Sequence, residues 1–113
     1  MEIFKQKQGD SLLISVEGEL DASSSIDMDK AIEATINEGI YKLLINCEKL
    51  SYISSAGVGV FVSYVEDIKN KNGKIVFYKM QANVLSVLQI LGLDKILSIA
   101  ETEEEAKLIL NEG

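Results

Sequence analysis

The chain has 113 residues, which suits one domain with a single hydrophobic core. Its formal net charge is −7, and it contains no arginine and no histidine; this argues against nucleic acid or an anionic membrane as its target and allows a basic protein partner. Because Cys47 is the single cysteine and no apolar segment is long enough to span a membrane, we expect a cytoplasmic protein with no disulfide and no membrane insertion.

The N-terminal segment is predicted to form a β-hairpin. Residues 3–8 and 11–17 are predicted to form its two strands. They flank Gly9-Asp10, a dipeptide that suits a two-residue hairpin turn.

A helix is predicted next. The segment Gly18-Glu19-Leu20-Asp21 leads to serines 23–25, which are possible helix caps. Gly39 is expected to end the helix. The residues that recur on one helical face are Met28, Ala31, Ile32 and Thr35.

The central segment is predicted to form a buried strand over residues 43–47 and a helix over residues 56–71. Gly73 is expected to stop this helix. Its alternation of valines also fits a strand, but the helical spacing accounts for more residues. The residues with that spacing are Val58, Phe61, Val62, Val65 and Ile68.

The C-terminal segment is predicted to contain two strands and two helices. The strands are expected at residues 75–78 and 95–99, and a helix capped by Asn83 is expected at residues 84–91. Apolar residues surround more than one face of this helix, so it is either deeply buried or partly exposed for a partner. Thr102 opens the last helix with a capping box, and its inward residues are Ala106, Ile109 and Leu110.

Alternating strands and helices predict one α/β domain over residues 1–113. We expect a mixed sheet of about five strands with about four helices packed mainly on one face. The sequence contains no histidine to serve as a general base, no P-loop, and no partner to activate its cysteine. Its carboxylates lie at positions typical of helix starts and of solvated helix faces. We therefore predict a protein that is not an enzyme and has no catalytic residue, metal or cofactor.

Ser54 and Ser55 lie where a predicted helix begins. Backbone N–H groups are free at such a point and the helix dipole is positive, so a phosphate on a serine hydroxyl would be favoured there. The simpler interpretation is that one of these serines is an N-cap and nothing more. Gly57 and Gly59 weaken a helix by roughly 0.5–1 kcal/mol each relative to alanine. Their presence suggests that a neighbouring element or a partner approaches the backbone closely.

Three segments together resemble bacterial anti-sigma factor antagonists of the STAS family. The segment Tyr52-Ile53-Ser54-Ser55-Ala56-Gly57-Val58-Gly59-Val60 is similar to the family's phosphorylation motif. The segment Gly18-Glu19-Leu20-Asp21 resembles its first loop, and Ile90-Leu91-Gly92-Leu93-Asp94-Lys95-Ile96 resembles its late helix–loop–strand. The three segments occur in the same order as in the family, and the resemblance spans nearly the whole chain.

The resemblance implies partner switching without catalysis by the protein itself. The unphosphorylated form would bind an anti-sigma factor that is also a serine kinase, and so release a sigma factor. Phosphorylation would break the complex, and a serine phosphatase would restore it. Carried over by motif position, the acceptor is Ser55, with Ser54 as the second choice. The implied partner-binding residues are Asp21, Ser23, Ser54, Ser55, Ala56, Gly57 and Gly59.

One position departs from the family pattern, because Ser54 stands where the family usually has aspartate. Two other functions also fit the sequence. One is a STAS subunit that regulates or assembles a membrane or lipid transporter complex. The other is a small nucleotide- or ligand-binding protein, which the lack of a phosphate loop makes the weaker choice.

Overall fold

The computed structural model describes residues 1–112 and contains one mixed sheet in the order β1-β2-β3-β4-β5. Strand β1 is antiparallel to β2, and the other neighbouring strands are parallel. The elements in chain order are β1 (Glu2–Gln8), β2 (Ser11–Leu20), α1 (Ala22–Asn37), β3 (Lys42–Ile53), α2 (Ser55–Asn70), β4 (Lys74–Tyr78), α3 (Ala82–Ile90), a 3₁₀ turn (Leu93–Lys95), β5 (Ser98–Ala100) and α4 (Glu103–Leu110).

Helices cover both faces of the sheet unequally. Successive strand residues point to opposite faces, so Leu43 and Leu44 belong to different layers. Helices α1, α2 and α3 pack on one face around the larger core, and α4 packs alone on the other. This arrangement confirms the predicted α/β fold with helices mainly on one face. Within residues 1–112, no helix combines the length and the apolar character needed to cross a bilayer.

The predicted hairpin is present, but two strands are longer than predicted. Gly9 adopts a positive φ of 65° in the turn, a conformation that glycine takes without strain. Strand β2 continues to Leu20 rather than residue 17, and β3 continues to Ile53 rather than residue 47. The two strands support each other, because they remain paired in parallel up to Leu20 and Ile53.

Helix α1 buries the predicted face, but its cap was assigned wrongly. The N-cap is Asp21, so serines 23–25 lie inside the first turn instead of capping it. The helix ends at Asn37, and Gly39 follows in a left-handed conformation. The predicted inward residues are all buried: Met28, Ala31, Ile32 and Thr35.

Helix α2 begins and ends within one residue of its predicted bounds. Val58, Phe61 and Ile68 are buried as expected, whereas the other two predicted inward residues, Val62 and Val65, are half-buried. The spacing analysis missed Tyr64, which is 8% exposed. Its polar hydroxyl reaches the main-chain oxygen of residue 29 at 3.3 Å, and this contact allows the ring to be buried.

The start of the third helix was predicted incorrectly. Helix α3 begins at Ala82 after Gln81, and Asn83 does not cap it. The side-chain amides of Gln81 and Asn83 donate instead to main-chain oxygens of β3, those of Glu48 at 2.9 Å and Ser51 at 2.8 Å. These bonds supply donors to main-chain oxygens of β3 that have no partner on β4, because β4 pairs with β3 only up to residue 46.

Helix α3 is only partly buried, and the last strand is shorter than predicted. Val84 and Leu88 enter the core, whereas Ile90 is 81% exposed. Residues 95–97 were predicted as strand, but the main-chain oxygen of Leu93 accepts bonds from the N–H groups of Ile96 and Leu97. Pairing with β4 therefore begins only at residue 98. In α4, Thr102 caps the helix by accepting from the N–H of Glu105 at 3.1 Å, but within residues 1–112 no return bond from the Glu105 side chain completes the predicted capping box. Ala106 and Leu110 are buried, and Ile109 is half-buried.

The two glycines of α2 have different surroundings. Gly57 is buried, and a β-carbon built on it would lie 2.8 Å from Leu20 Cγ and 3.1 Å from Ile53 Cγ1. Gly59 is exposed, and a β-carbon there would meet nothing within 4 Å. Gly57 therefore lets the helix start approach the ends of β2 and β3, whereas packing does not explain Gly59.

We expect Gly57→Ala and Gly59→Ala to change stability in opposite directions. The first adds a methyl group against Leu20 and should destabilise the fold by about 1–3 kcal/mol. The second has open space and should stabilise the helix by up to about 1 kcal/mol. Urea denaturation of both variants beside the wild type measures the difference. Equal losses of stability would contradict the assignment of different surroundings to the two glycines.

Candidate functional site

The predicted site lies at the carboxyl ends of β2 and β3. Leu20 and Ile53 are register partners at the ends of these parallel strands, and the N–H of Ser54 donates to the main-chain oxygen of Leu20 at 2.8 Å. Both strands lead into a helix within two residues, so α1 and α2 begin side by side at one edge of the sheet. Each helix start carries free N–H groups and a partial positive charge.

Asp21 is held at the start of α1 by a reciprocal pair of hydrogen bonds. The N–H of Ser24 donates to Asp21 Oδ1 at 2.8 Å, and the N–H of Asp21 donates to Ser24 Oγ at 2.9 Å. The bond from the Ser24 N–H, followed by that from its side chain, lowers the pKa of Asp21 below its usual value. Asp21 is exposed and remains ionised at neutral pH, so it places a fixed negative charge at this edge.

The two serines at the start of α2 have different roles. Ser54 is the N-cap: its Oγ accepts from the N–H of Gly57 at 3.2 Å, and its main-chain oxygen accepts from the N–H of Val58 at 3.0 Å. Ser55 is the first helical residue and is exposed. Within residues 1–112 its hydroxyl makes no hydrogen bond to another side chain or to the backbone. The simpler interpretation, in which a serine only caps the helix, therefore describes Ser54 and leaves Ser55 unexplained.

This arrangement offers an exposed nucleophilic hydroxyl beside a helix start. The N–H groups of Ser55 and Ala56 precede the first intrahelical bond, so they can donate to an anion attached near them. Within residues 1–112, no group of three or more Cys, Asp or Glu side chains is placed to hold a metal ion. Burial raises the pKa of Cys47 to about 12, so its thiol remains protonated.

A shallow groove lies between the first turns of α1 and α2. Its volume is about 350 Å³, and small or apolar residues of both helices form much of its surface, including Ala22, Ile26, Ala56 and Gly59. Ile26 is 58% exposed, although it is a large apolar residue. The groove is adjacent to both helix starts, so a partner that contacts Ser55 can also cover it.

The structure brings together most of the predicted site residues. Asp21, Ser23, Ser55, Ala56 and Gly59 are all exposed at the two helix starts, and Ser54 is half-buried between them. Gly57 is buried against β2 and β3, so its predicted contact with a partner has little accessible surface.

The third segment of the resemblance, residues 90–96, lies away from the serines. Ile96 lines a cavity with Gly73 and Lys74, which are at the start of β4 and so at the opposite end of the parallel strands.

Sequence analysis missed two residues of the site. Ser24 completes the hydrogen bonding of Asp21, and its position three residues after an aspartate could have indicated this. Ile26 lies outside the helical face formed by Met28 and Ile32, which could have marked it as an apolar residue on the surface.

Comparisons with known proteins agree with this fold. The family model described as "STAS domain" matches residues 2–106. A relative from Listeria monocytogenes, named anti-sigma-B factor antagonist, is 30% identical over 103 residues, which cover 90% of each chain.

Two solved structures share the fold. One, an anti-sigma factor antagonist from Mycobacterium paratuberculosis, superposes with a TM-score of 0.88 at 18% identity and covers 98% of this chain and 94% of its own. The other, the Bacillus cell fate determinant SpoIIAA in its phosphorylated form, has a TM-score of 0.74 at 24% identity and covers 97% of this chain and all of its own. The family match over nearly the whole chain, together with the mixed sheet and the paired helix starts, establishes that this protein belongs to the STAS domain family.

Proposed function

We propose that this protein is an anti-sigma factor antagonist whose binding is switched by phosphorylation of Ser55. The name of the Listeria relative supports the class of function. The observation that carries the proposal is the exposed hydroxyl of Ser55, which is free of hydrogen bonds within the described chain and stands at a helix start near Asp21. The partner is an anti-sigma factor that is also a serine kinase, and a serine phosphatase acts on the modified form.

The unmodified protein binds through the paired helix starts. The side chains there are short: Ala22 and Ser23 on α1, and Ser55, Ala56 and Gly59 on α2. Such a surface lets a partner come close to the backbone of both helices. Asp21 adds a fixed negative charge, which suits a basic partner surface. The protein acts by binding in the cytoplasm and catalyses no step itself.

Phosphate on Ser55 breaks the complex by local repulsion and desolvation. The group adds about −1.5 to −2 charges at pH 7. In the free protein, the start of α2 stabilises it by about 0.3–2 kcal/mol, so the domain has little reason to rearrange. In the complex the phosphate loses its hydration and lies near the carboxylate of Asp21. The fold accommodates a phosphate in at least one protein, because SpoIIAA has been solved in its phosphorylated form.

Ser55 is the better acceptor of the two serines. A kinase must reach the hydroxyl, and Ser55 is exposed whereas Ser54 is half-buried. The oxygen of Ser54 also accepts the capping bond from Gly57, which its modification would disturb. Serine in place of aspartate at position 54 therefore removes one negative charge beside the acceptor, but its hydroxyl still caps α2.

We expect phosphate to be incorporated at Ser55 and not at Ser54. Ser55→Ala should abolish labelling by the cognate kinase and ATP. Ser54→Ala should retain labelling while losing about 0.5–2 kcal/mol of stability with the cap. Phosphopeptide mapping of the wild type and the two variants decides between the serines. Full labelling of Ser55→Ala would contradict the assignment of Ser55 as the acceptor.

We expect phosphorylation to weaken binding to the anti-sigma factor by at least about a hundredfold, or about 2.7 kcal/mol. Ser55→Asp should imitate the effect only in part, because it carries less charge and fewer acceptor oxygens. Calorimetric titration measures the affinities, and amide NMR spectra of the free proteins measure the structural change. Equal affinities would contradict the switch, and shifts spread through the whole sheet would contradict its local character.

We expect Gly59→Leu to weaken binding by at least about tenfold without destabilising the fold, since position 59 faces open space beside the groove. Gln89→Leu is the matched control, because Gln89 is exposed on α3 and outside the groove. The two variants are compared by titration and by thermal unfolding. If Gly59→Leu bound as tightly as the control, the paired helix starts would not be the interface.

A further inference from the structure

Two depressions follow one another on the solvent side of the contact between α1 and α2. Each helix has 16 residues and so extends for about 24 Å. The shallow groove at their first turns is followed by a deeper cavity of about 560 Å³ between their later turns. One helical turn separates Asp29 from Glu33 and Ser63 from Asp67, so groove and cavity occupy successive turns of the same two helices.

The deeper cavity is lined by oxygen acceptors from both helices. Glu33 and Asn37 come from α1, and Asp67 and Asn70 come from α2, with Tyr64 between them. Among residues 1–112, the carboxylates of Asp29, Glu33 and Asp67 form no ion pair. The cation in the lining is Lys71, whose Nζ lies over the ring of Tyr41 at 5.4 Å from its centroid.

Tyr64 lies between the two helices, close to their carboxylates. Its ring is buried, and its hydroxyl donates to the main-chain oxygen of Asp29 at 3.3 Å. Burial raises the pKa of Tyr64 above its usual value, and the nearby carboxylates of Asp29, Glu33 and Asp67 raise it further. Two of these carboxylates, Glu33 and Asp67, line the cavity from opposite helices, and within residues 1–112 neither forms an ion pair.

We propose that the anti-sigma factor places an arginine side chain in the cavity between Glu33 and Asp67, while apolar residues of the same segment cover the groove beside Gly59. The planar guanidinium carries five donors, and the two carboxylates and the amide oxygens of Asn37 and Asn70 supply matching acceptors. The cavity lies further along the two helices that carry Ser55 and Asp21. A partner helix in this position would extend the proposed interface by about two turns.

This inference rests on the proposed function and adds the chemistry of the partner. The arginine contact would give the interface a second point of attachment besides the helix starts. Phosphate at Ser55 disrupts one end of the contact, and the arginine at the other end sets which basic segment fits. Charge complementarity of this kind contributes more to the choice of partner and to the association rate than to affinity alone.

The test removes the two charges without changing side-chain size. Glu33→Gln/Asp67→Asn should weaken binding to the purified anti-sigma factor by at least about tenfold, and should reduce the change in affinity between about 50 and 300 mM NaCl. Glu2→Gln/Glu104→Gln is the matched control, because it removes two carboxylates on exposed residues outside the cavity. The control should change the affinity less than about twofold, because such distant charges are screened at physiological salt.

The outcomes separate this inference from the proposed function. If Glu33→Gln/Asp67→Asn matched the control at both salt concentrations while phosphate at Ser55 still prevented binding, the arginine site would be overturned and the proposed function would remain. If the unmodified wild type did not bind the anti-sigma factor, the proposed function would be overturned and this inference with it. Thermal unfolding of the double variant checks that its fold is unchanged.

Discussion

The parallel pairing of β2 with β3 up to Leu20 and Ile53 is the constraint on which the site depends. It is completed by the bond from the Ser54 N–H to the main-chain oxygen of Leu20. Since each strand continues almost directly into a helix, a fixed strand register also fixes the relative position of the two helix starts. Gly57 makes this geometry possible, because any larger residue would press α2 away from Leu20. The site is thus built on strand ends and not on a mobile loop.

The paired helix starts divide the chemical roles among neighbouring side chains. Asp21 and Ser54 each accept from one backbone N–H group of a first helical turn, those of Ser24 and Gly57. Their side chains are committed to structure, and Ser55, one residue later, is left exposed with a free hydroxyl. The same geometry lays α1 and α2 side by side, which creates the groove and the acidic cavity between them. One strand register therefore accounts for both the proposed switch and the proposed contact with a basic partner.

Local patterns predicted the elements whose stability depends on local interactions. The hairpin at Gly9, the buried face of α1 and the bounds of α2 follow from turn chemistry and helical spacing. Two of the failures occur where a distant partner competes for a polar group. Asn83 was expected to cap α3, but its amide binds a main-chain oxygen of β3 left free by the shorter strand β4. Tyr64 was missed because its burial requires an acceptor on α1.

The sequence by itself determined the α/β class, the serine–glycine junction at the start of α2 and the acidic character of the chain, since these follow from spacing and composition. The resemblance also ranked Ser55 above Ser54 as the acceptor, but helix-start position alone left open which of the two serines caps the helix. Tertiary structure decided that Ser54 caps the helix, that Gly57 packs inward and that Gly59 faces outward. It also brought Glu33 and Asp67 to one cavity. The physical reason is that strand register and helix packing, which join residues far apart in the chain, fix which side of each residue meets the core and which meets solvent.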